Sequence, residues 1–434
     1  MTDPSTRQYR FSLVMITTLF FMWGFVHNLD PILIPHLRRS FSLTVLQSAL
    51  VDSAVFIAYF VMALPAGMLI HRAGYKAAII CGLLLFATGS MMFIPAANTQ
   101  QYIVFLAALF TIACGLTILE TAANPYVTLL GDPGRAAQRI NLAQSFNGLA
   151  ATLAPIIGAR LILVHGANDQ QLAAMPAAAR QAALAAEAAS VKGPYMVLGL
   201  VILAIAVVFY FLKLPEVASS KAGSGAAKGS IADALRVPSI RRGAVAQFFY
   251  VGAQVCVFSF FILYATRSAG VSPVRAADYL GWGCGMAFMV GRFVGTGLMR
   301  VVAPARLLWR YALICIVLAG VAMMAQGLVS IAAVIGIAFF MSIMFPTIFS
   351  LGLSGAGEHA DMGSGLIIMS IVGGALLPLV FGFVSDVTHN VQFGYAVPLA
   401  CFVVIAWFAR TALAEDSSKA RAAAPSSIGV TKRV

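Results

Sequence analysis

Residues 77–96 read AAIICGLLLFATGSMMFIPA, an unbroken run without Asp, Glu, Lys, Arg or His. Coiled as a helix rising about 1.5 Å per residue, such a run spans the roughly 30 Å hydrocarbon core of a bilayer. Working outward, the same pattern recurs on both sides. It predicts spans over Phe11 to Leu37, Leu46 to Ile70, Gln101 to Leu130, Asn141 to Val164 and Tyr195 to Leu212. Six more follow: Ala244 to Thr266, Tyr279 to Val301, Leu307 to Ala325, Leu328 to Leu351, Gly363 to Val387 and Tyr395 to Leu413. The reading is therefore an all-α membrane protein of twelve transmembrane helices. Composition agrees, with 61% hydrophobic residues, 10% charged and a mean hydropathy of +0.92, values that exclude a soluble domain.

The net charge of +13 carries no nucleic-acid footprint, because Lys and Arg recur singly or in pairs at the ends of alternate apolar runs. With loops assigned alternately, about 21 of the 28 basic residues fall on the side that holds both termini, which predicts cytoplasmic termini in an inner membrane. The six cysteines lie inside apolar runs, so neither a disulfide framework nor a zinc site is expected. No nucleophile–base motif, metal-ligand spacing or phosphate loop marks an enzyme. The partners expected are a small polar solute and lipid, with no nucleic acid, and the chain is expected to work as a monomer.

The chain divides near its middle. Residues 214–240 contain SSKAGSGAAKGS, too poor in apolar surface to pack, and read as a cytoplasmic linker between bundles at 11–213 and 241–413. Residues 1–10 read as a short cytoplasmic terminus, 414–434 as a disordered cytoplasmic tail, and the alanine-rich 165–193 as a short external helix with its connections. The halves echo one another: Gly67 to Arg72 returns as Gly295 to Arg300, and Pro125 and Gly131 return as Pro346 and Gly352, at offsets of 228 and 221. Near-constant offsets indicate a parallel duplication, which places a substrate site between the halves near the midplane.

Ionisable and amide side chains inside the spans are the candidates for that site, because each is costly in lipid. Glu120 and Asn124 lie one turn apart in LETAANPYVTLLG, and Pro125 frees the carbonyl of Thr121 beside them. A carboxyl there could trade a proton near neutral pH. Asn141, Gln144 and Asn147 line one face of the fifth span, and Gln247, Tyr250 and Gln254 repeat the device in the seventh, where they are expected to face the first stripe across a cavity. Such amides suit the hydroxyls of a neutral polar ligand or serve as interhelical glue.

In the first span Trp23, His27 and Asp30 share a face beside Asn28, and Pro31 breaks the helix. Asp52 lies at a similar depth in the second, so the two acids form an outward proton acceptor or a pair solvated at the mouth. Arg292 reads as a structural, snorkelling residue. The glycine series 363, 365, 373, 374 and 382 reads as a surface for close helix packing.

Taken with FFMWGFVHNLDPILIPHL, LPAGMLIHRAGYKA, RINLAQSFNGLA, AVAQFFYVGAQ, GRFVGT, FPTIFSLGL and IVGGALLPLVFGFVSD, these motifs run in order from about Phe11 to Phe408. In them the chain resembles the fucose–galactose–glucose:proton symporters of the major facilitator superfamily. The resemblance implies the major facilitator fold, two pseudo-symmetric six-helix bundles. It also implies symport of a hexose with a proton by alternating access, with the proton as coupling ion and no other cofactor. Glu120 would be the membrane acid coupled to sugar binding, and Asn28, Gln144 and Asn147 would line the cavity.

The chain departs from the family pattern twice. Pro31 stands where an aspartate precedes ILIP, so Asp30 or Asp52 must take that role or transport is uncoupled. Phe345, after Met344, stands where the family has a tyrosine. The expected function is proton-coupled import of L-fucose or a related hexose, with sugar held by amides and stacked on Trp23, Tyr250 or Phe345. The alternatives are an uncoupled facilitator, or another sugar such as glucose, galactose or N-acetylglucosamine.

Overall fold

The computed structural model describes residues 4–129, 136–163, 169–212, 231–354 and 360–423. Among them nine helices are long and apolar enough to cross a membrane, and a pair bent by 53°, Pro238–Ser259 with Phe261–Ala269, makes a tenth. The remaining two spans are interrupted by polarity or geometry. Span five, Ala136–Ile162, opens on the polar AAQRINLAQS and is apolar only from Phe146. Span eight runs through Pro273–Asp278, a π-helical stretch Tyr279–Gly285 and Met286–Leu298.

The helix breaks have local causes. Span one is helical over Pro4–His27 and again over Asp30–Ser40. Pro31 in the first turn of the second piece has no N–H to give the carbonyl of His27. Spans two and three are two helices that follow one another within Leu50–Thr99 and are separated by a kink at Gly74, whose φ of 81° is open to glycine and strained for other residues. Span four is Tyr102–Leu129 and span six Lys192–Phe211. Span nine is Pro304–Met324, and span ten is Leu328–Met341 followed after Ser342 and Ile343 by Met344–Gly352. Span eleven passes from Ala360–Met369 through a 3-10 turn into Gly373–Val387, and span twelve is Ala396–Ala423.

The ends differ from expectation in three places. Residues 4–10, expected as a short cytoplasmic terminus, are helical and continuous with span one. The tail expected to be disordered from 414 is helical to Ala423, since ALAEDSSKARAA is rich in strong helix formers and holds neither glycine nor proline. At the linker, Ile231–Arg236 is helical and Pro238 starts span seven; 213–230 lie outside the described residues, as do 424–434. The 165–193 segment holds two short helices, Asp169–Ala174 and Ala177–Ala189, the second tied to the end of span one by an Arg39–Glu187 ion pair of 3.5 Å.

We call the face where Pro4 lies the near face and the opposite one the far face. Polar contacts between the first six spans and the last six cluster at the far face. Arg160 pairs with Asp278 at 2.8 Å, and the Asp386 carboxylate accepts the N–H groups of Val45 and Leu46 at 2.8 Å each. A little deeper, Ser53 Oγ donates to the Ala375 carbonyl at 2.7 Å and Ser259 Oγ to Asp52 Oδ1 at 2.9 Å. Spans five and eight touch on the far side of Gly148. A Cβ on Gly281 or Gly285 would meet Thr152 of span five, whereas one turn nearer a Cβ on Gly148 would meet nothing within 4 Å.

Small residues let the helices close up as the glycine series predicts. A Cβ on Gly373 would lie 2.0 Å from the Phe248 carbonyl oxygen of span seven, and one on Gly297 would touch nothing within 4 Å. Gly373→Ala is therefore expected to lower the Tm of the purified protein by several degrees, an overpacking cost of about 1–3 kcal/mol. Gly297→Ala should leave the Tm unchanged or raise it slightly; equal effects in a thermal-shift assay would contradict this packing.

Candidate functional site

The break in span one places three polar side chains at its centre. Trp23 is 7% exposed and stacks at a tilt on Phe20, with centroids 5.1 Å apart. His27 ends the first piece, its ring edge-on to Phe56 at 6.0 Å and 6.1 Å from Tyr59, with Nδ1 buried and unpartnered. Asp30 opens the second piece, where a carboxylate meets the positive end of the helix dipole. A small cavity lies between spans one, two, four and six, lined by Val26, His27, Asp30, Val55, Leu116 and Tyr195.

Span two supplies Asp52, 1% exposed, one oxygen bonded to Ser259 of span seven and the other buried without a partner. It lies close enough to Asp30 for the two charges to be felt by one another. Tyr59, two turns on, sits on the same face and brings its hydroxyl beside the Glu120 carboxyl of span four. Asn124 follows on the face of Glu120. No ion pair among the described residues involves Asp30, Asp52 or Glu120; the pairs formed are Arg39–Glu187, Arg160–Asp278 and Arg236–Asp233.

The amides divide. Asn28 Nδ2 donates to the Gly24 carbonyl of its own helix at 2.7 Å, and Asn147 Nδ2 donates across to Phe20 of span one at 3.3 Å. Asn147 thus joins spans five and one beside the cluster. The side chains of Asn141 and Gln144 lie outside the described residues. In span seven, Gln247 is 1% exposed with both amide atoms unpartnered, and Tyr250 is fully buried with its hydroxyl unpartnered and its ring 6.1 Å from Phe345.

That stripe does not face an open cavity. Gly243, one turn before Gln247, packs on Gly352 of span ten and Ile367 of span eleven, so the face carrying Gln247 and Tyr250 turns into the second half. Gln254 is half-buried. Phe345 is 36% exposed just past the break in span ten, where Arg292 lies over the Phe288 ring at 4.9 Å and donates to the Ser342 carbonyl at 3.3 Å. Arg292 is thereby held within its own half.

Tyr59 and Ser259 were missed in the sequence. Tyr59 falls at Asp52, Phe56, Tyr59 spacing on one helix face and could have been found by it; Ser259 carries no such signal. The described cysteines are free, and among the described residues no group of His, Cys, Asp and Glu could hold a metal ion.

Paired apolar helices, three carboxyls with no ion pair among the described residues and polar contacts between the halves gathered at one face are the features of a multi-pass membrane transporter. The family model described as the Major Facilitator Superfamily matches residues 13–378, and the chain belongs to that superfamily. The glucose/galactose transporter of Brucella abortus biovar 1 is 42% identical over 407 residues, covering 93% of this chain and 94% of its own. The L-fucose-proton symporter of Escherichia coli strain K12 is 39% identical over 411 residues, with 93% and 94% covered.

Among solved structures, the major facilitator transporter FucP in its outward conformation matches at 39% identity with a TM-score of 0.66, covering 93% of this chain and 99% of its own. A bacterial homologue of the human lysosomal transporter Spinster, inward-facing and occupied, matches with a TM-score of 0.73 at 16% identity, covering 95% and 98%, and bears on the fold alone.

Buried, unpartnered amide atoms cost about 1–3 kcal/mol, and an apolar replacement of similar shape removes that cost. Gln247→Met is therefore expected to raise the Tm of the ligand-free protein by a few degrees; a lower Tm would show that the Gln247 amide is satisfied.

Proposed function

We propose that the chain imports L-fucose or a related hexose, glucose and galactose included, together with a proton by alternating access. On this reading it lies in the inner membrane, with the near face and both termini cytoplasmic, so that contacts at the far face make this an inward-facing state. It works as a monomer, with two bundles at 11–213 and 241–413. The observation that carries the proposal is the set of three carboxyls, Asp30, Asp52 and Glu120, at membrane depth without a counter-ion among the described residues. Binding a proton removes a charge that would otherwise have to reorient within a low-dielectric slab.

Glu120 holds the coupling proton beside Tyr59, and Asp30 or Asp52 accepts it from the external side, the latter while the Ser259 bond is broken. The names of the relatives at 42% and 39% identity support a hexose. Amides at Asn28, Asn124, Gln144 and Asn147 meet its hydroxyls, and Trp23 and Phe345 offer faces for the ring. Gln247 and Tyr250 hold unpartnered donors and acceptors inside the second half, and they reach the sugar, with Gln254 of the same helix, only when that face turns toward the cavity during the cycle.

The test is external pH in lightly buffered, energy-depleted cells on adding L-fucose, D-galactose, D-glucose or N-acetylglucosamine in turn. Alkalinisation with a transported sugar is expected. Uptake of radiolabelled sugar without a pH change would make the protein a facilitator, the consequence of Pro31 in the family's acid position. Glu120→Gln should abolish uphill accumulation while retaining sugar exchange; normal accumulation would remove Glu120 from coupling. Of Asp30→Asn and Asp52→Asn, the one that flattens the pH dependence of uptake is the external acceptor, and if neither does, both are structural.

A further inference from the structure

The far-face seam ends in an arrangement that the transport reading leaves unused. Span two opens on a short helix, Val45–Ser48, that leads through Ala49 into the helix from Leu50; its cap is Thr44, whose side chain accepts the Gln47 N–H at 3.1 Å while Gln47 Oε1 accepts the Thr44 N–H at 3.0 Å. This capping box leaves the N–H groups of Val45 and Leu46, the first two donors of the helix, without a partner from their own half. Both are taken by one carboxylate from the other half: Val45 donates to Asp386 Oδ1 and Leu46 to Asp386 Oδ2, 2.8 Å each.

The carboxylate is committed to that end. Asp386 forms no ion pair among the described residues, so the partial positive charge of the span-two N-terminus is what faces it. One turn before it, Gly382 has no side chain, and a Cβ there would lie 2.6 Å from Leu46 Cα. Deeper along the same antiparallel pair, Ser53 donates to the Ala375 carbonyl. Three contacts at matched register make spans two and eleven a zip that any opening at the far face must undo.

We propose that Asp386 is a positioning residue of the transport cycle, whose carboxylate, clamped on the N-terminus of span two across the two halves, latches the external gate and sets the ratio of inward- to outward-facing protein. The proposal rests on the reading of the far face as external. Asp386 plays no part in carrying the proton or the sugar. Asp386→Asn weakens the latch because an amide keeps one acceptor and presents a donor to a second N–H.

The test places a reporter, Ala375→Cys, in the seam, where Ala375 is fully buried. Full-length protein in right-side-out and inverted membrane vesicles is treated with a membrane-impermeant maleimide, without sugar or gradient, and the labelling of reporter-free protein is subtracted. Adding Asp386→Asn is expected to speed reporter labelling in right-side-out vesicles by about tenfold, as loss of charge-assisted hydrogen bonds allows. Asp386→Glu should restore part of the protection. Gly382→Ala pushes the same helices apart without touching the charge and should act in the same direction, which decides the matter if Asp386→Asn fails to reach the membrane.

Asp278→Asn, which breaks an exposed pair, should change labelling less than twofold. In intact cells, an outward shift should also lower the external half-saturation for sugar uptake, because more protein is competent to bind. Labelling within twofold of the parent for both Asp386→Asn and Gly382→Ala, in both vesicle orientations, would overturn the latch. Faster labelling confined to inverted vesicles would keep the latch and overturn the assigned orientation, and labelling is indifferent to whether the solute is a sugar.

Discussion

A bilayer has no water to hydrogen-bond a peptide group, so every span must satisfy its own backbone or hide the places where it does not. The breaks in this chain fall under that constraint. The step between His27 and Asp30, the gap at Ser342 and Ile343 and the bend at Phe260 are buried in protein, and the π-helical stretch Tyr279–Gly285 turns Leu280, Gly281 and Cys284 inward while Trp282 is exposed. Each break frees a carbonyl or re-aims a side chain, and the span-one and span-ten breaks sit beside Trp23, Asp30, Arg292 and Phe345. Several of the candidate site residues thus gather at points where regular helix fails.

The acid cluster follows from the same physics. Asp30, Asp52 and Glu120 are placed by three different helices of the first half and touch ring and hydroxyl groups, Tyr59 and Ser259 among them, rather than cations. The second half contributes buried amide and phenol groups with unspent hydrogen bonds. The carboxyls of the first half thus lie among hydroxyl and ring groups, while the unspent amide and phenol groups of the second half are packed inside it.

Much of this was legible in the residues. The run at 77–96 sets the membrane solvent, the repeated offsets set the duplication, and Pro31 announces the break in span one because proline cannot donate. Glu120 stands out because charge is rare at that depth. Other features were hidden for physical reasons. Periodicity places Gln247 and Tyr250 on one face but is silent on which neighbour that face meets, and the structure turns it into the second half. Tyr59 reads as an ordinary core aromatic until Glu120 is placed beside it. Asp386, near the end of an apolar span, looks like a solvated terminal acid, since its partner is 340 residues away in sequence. The tail expected to be disordered from 414 is helical to Ala423, since its alanines favour helix.

The meeting of spans five and eight at Thr152 has a mechanical meaning. Contact at Thr152 and open space at the Cβ position of Gly148 give the turn between them the place of a fulcrum in the proposed alternating access. The stretch from Gly148 back to Ala136 is an arm of about 18 Å at 1.5 Å per residue. A rigid rotation of about 15°, the size seen in other bistable assemblies, swings such an arm by roughly 5 Å. That displacement approaches the width of a single sugar ring. A doorway can therefore open and close by rocking about one glycine-lined turn, without unfolding any helix.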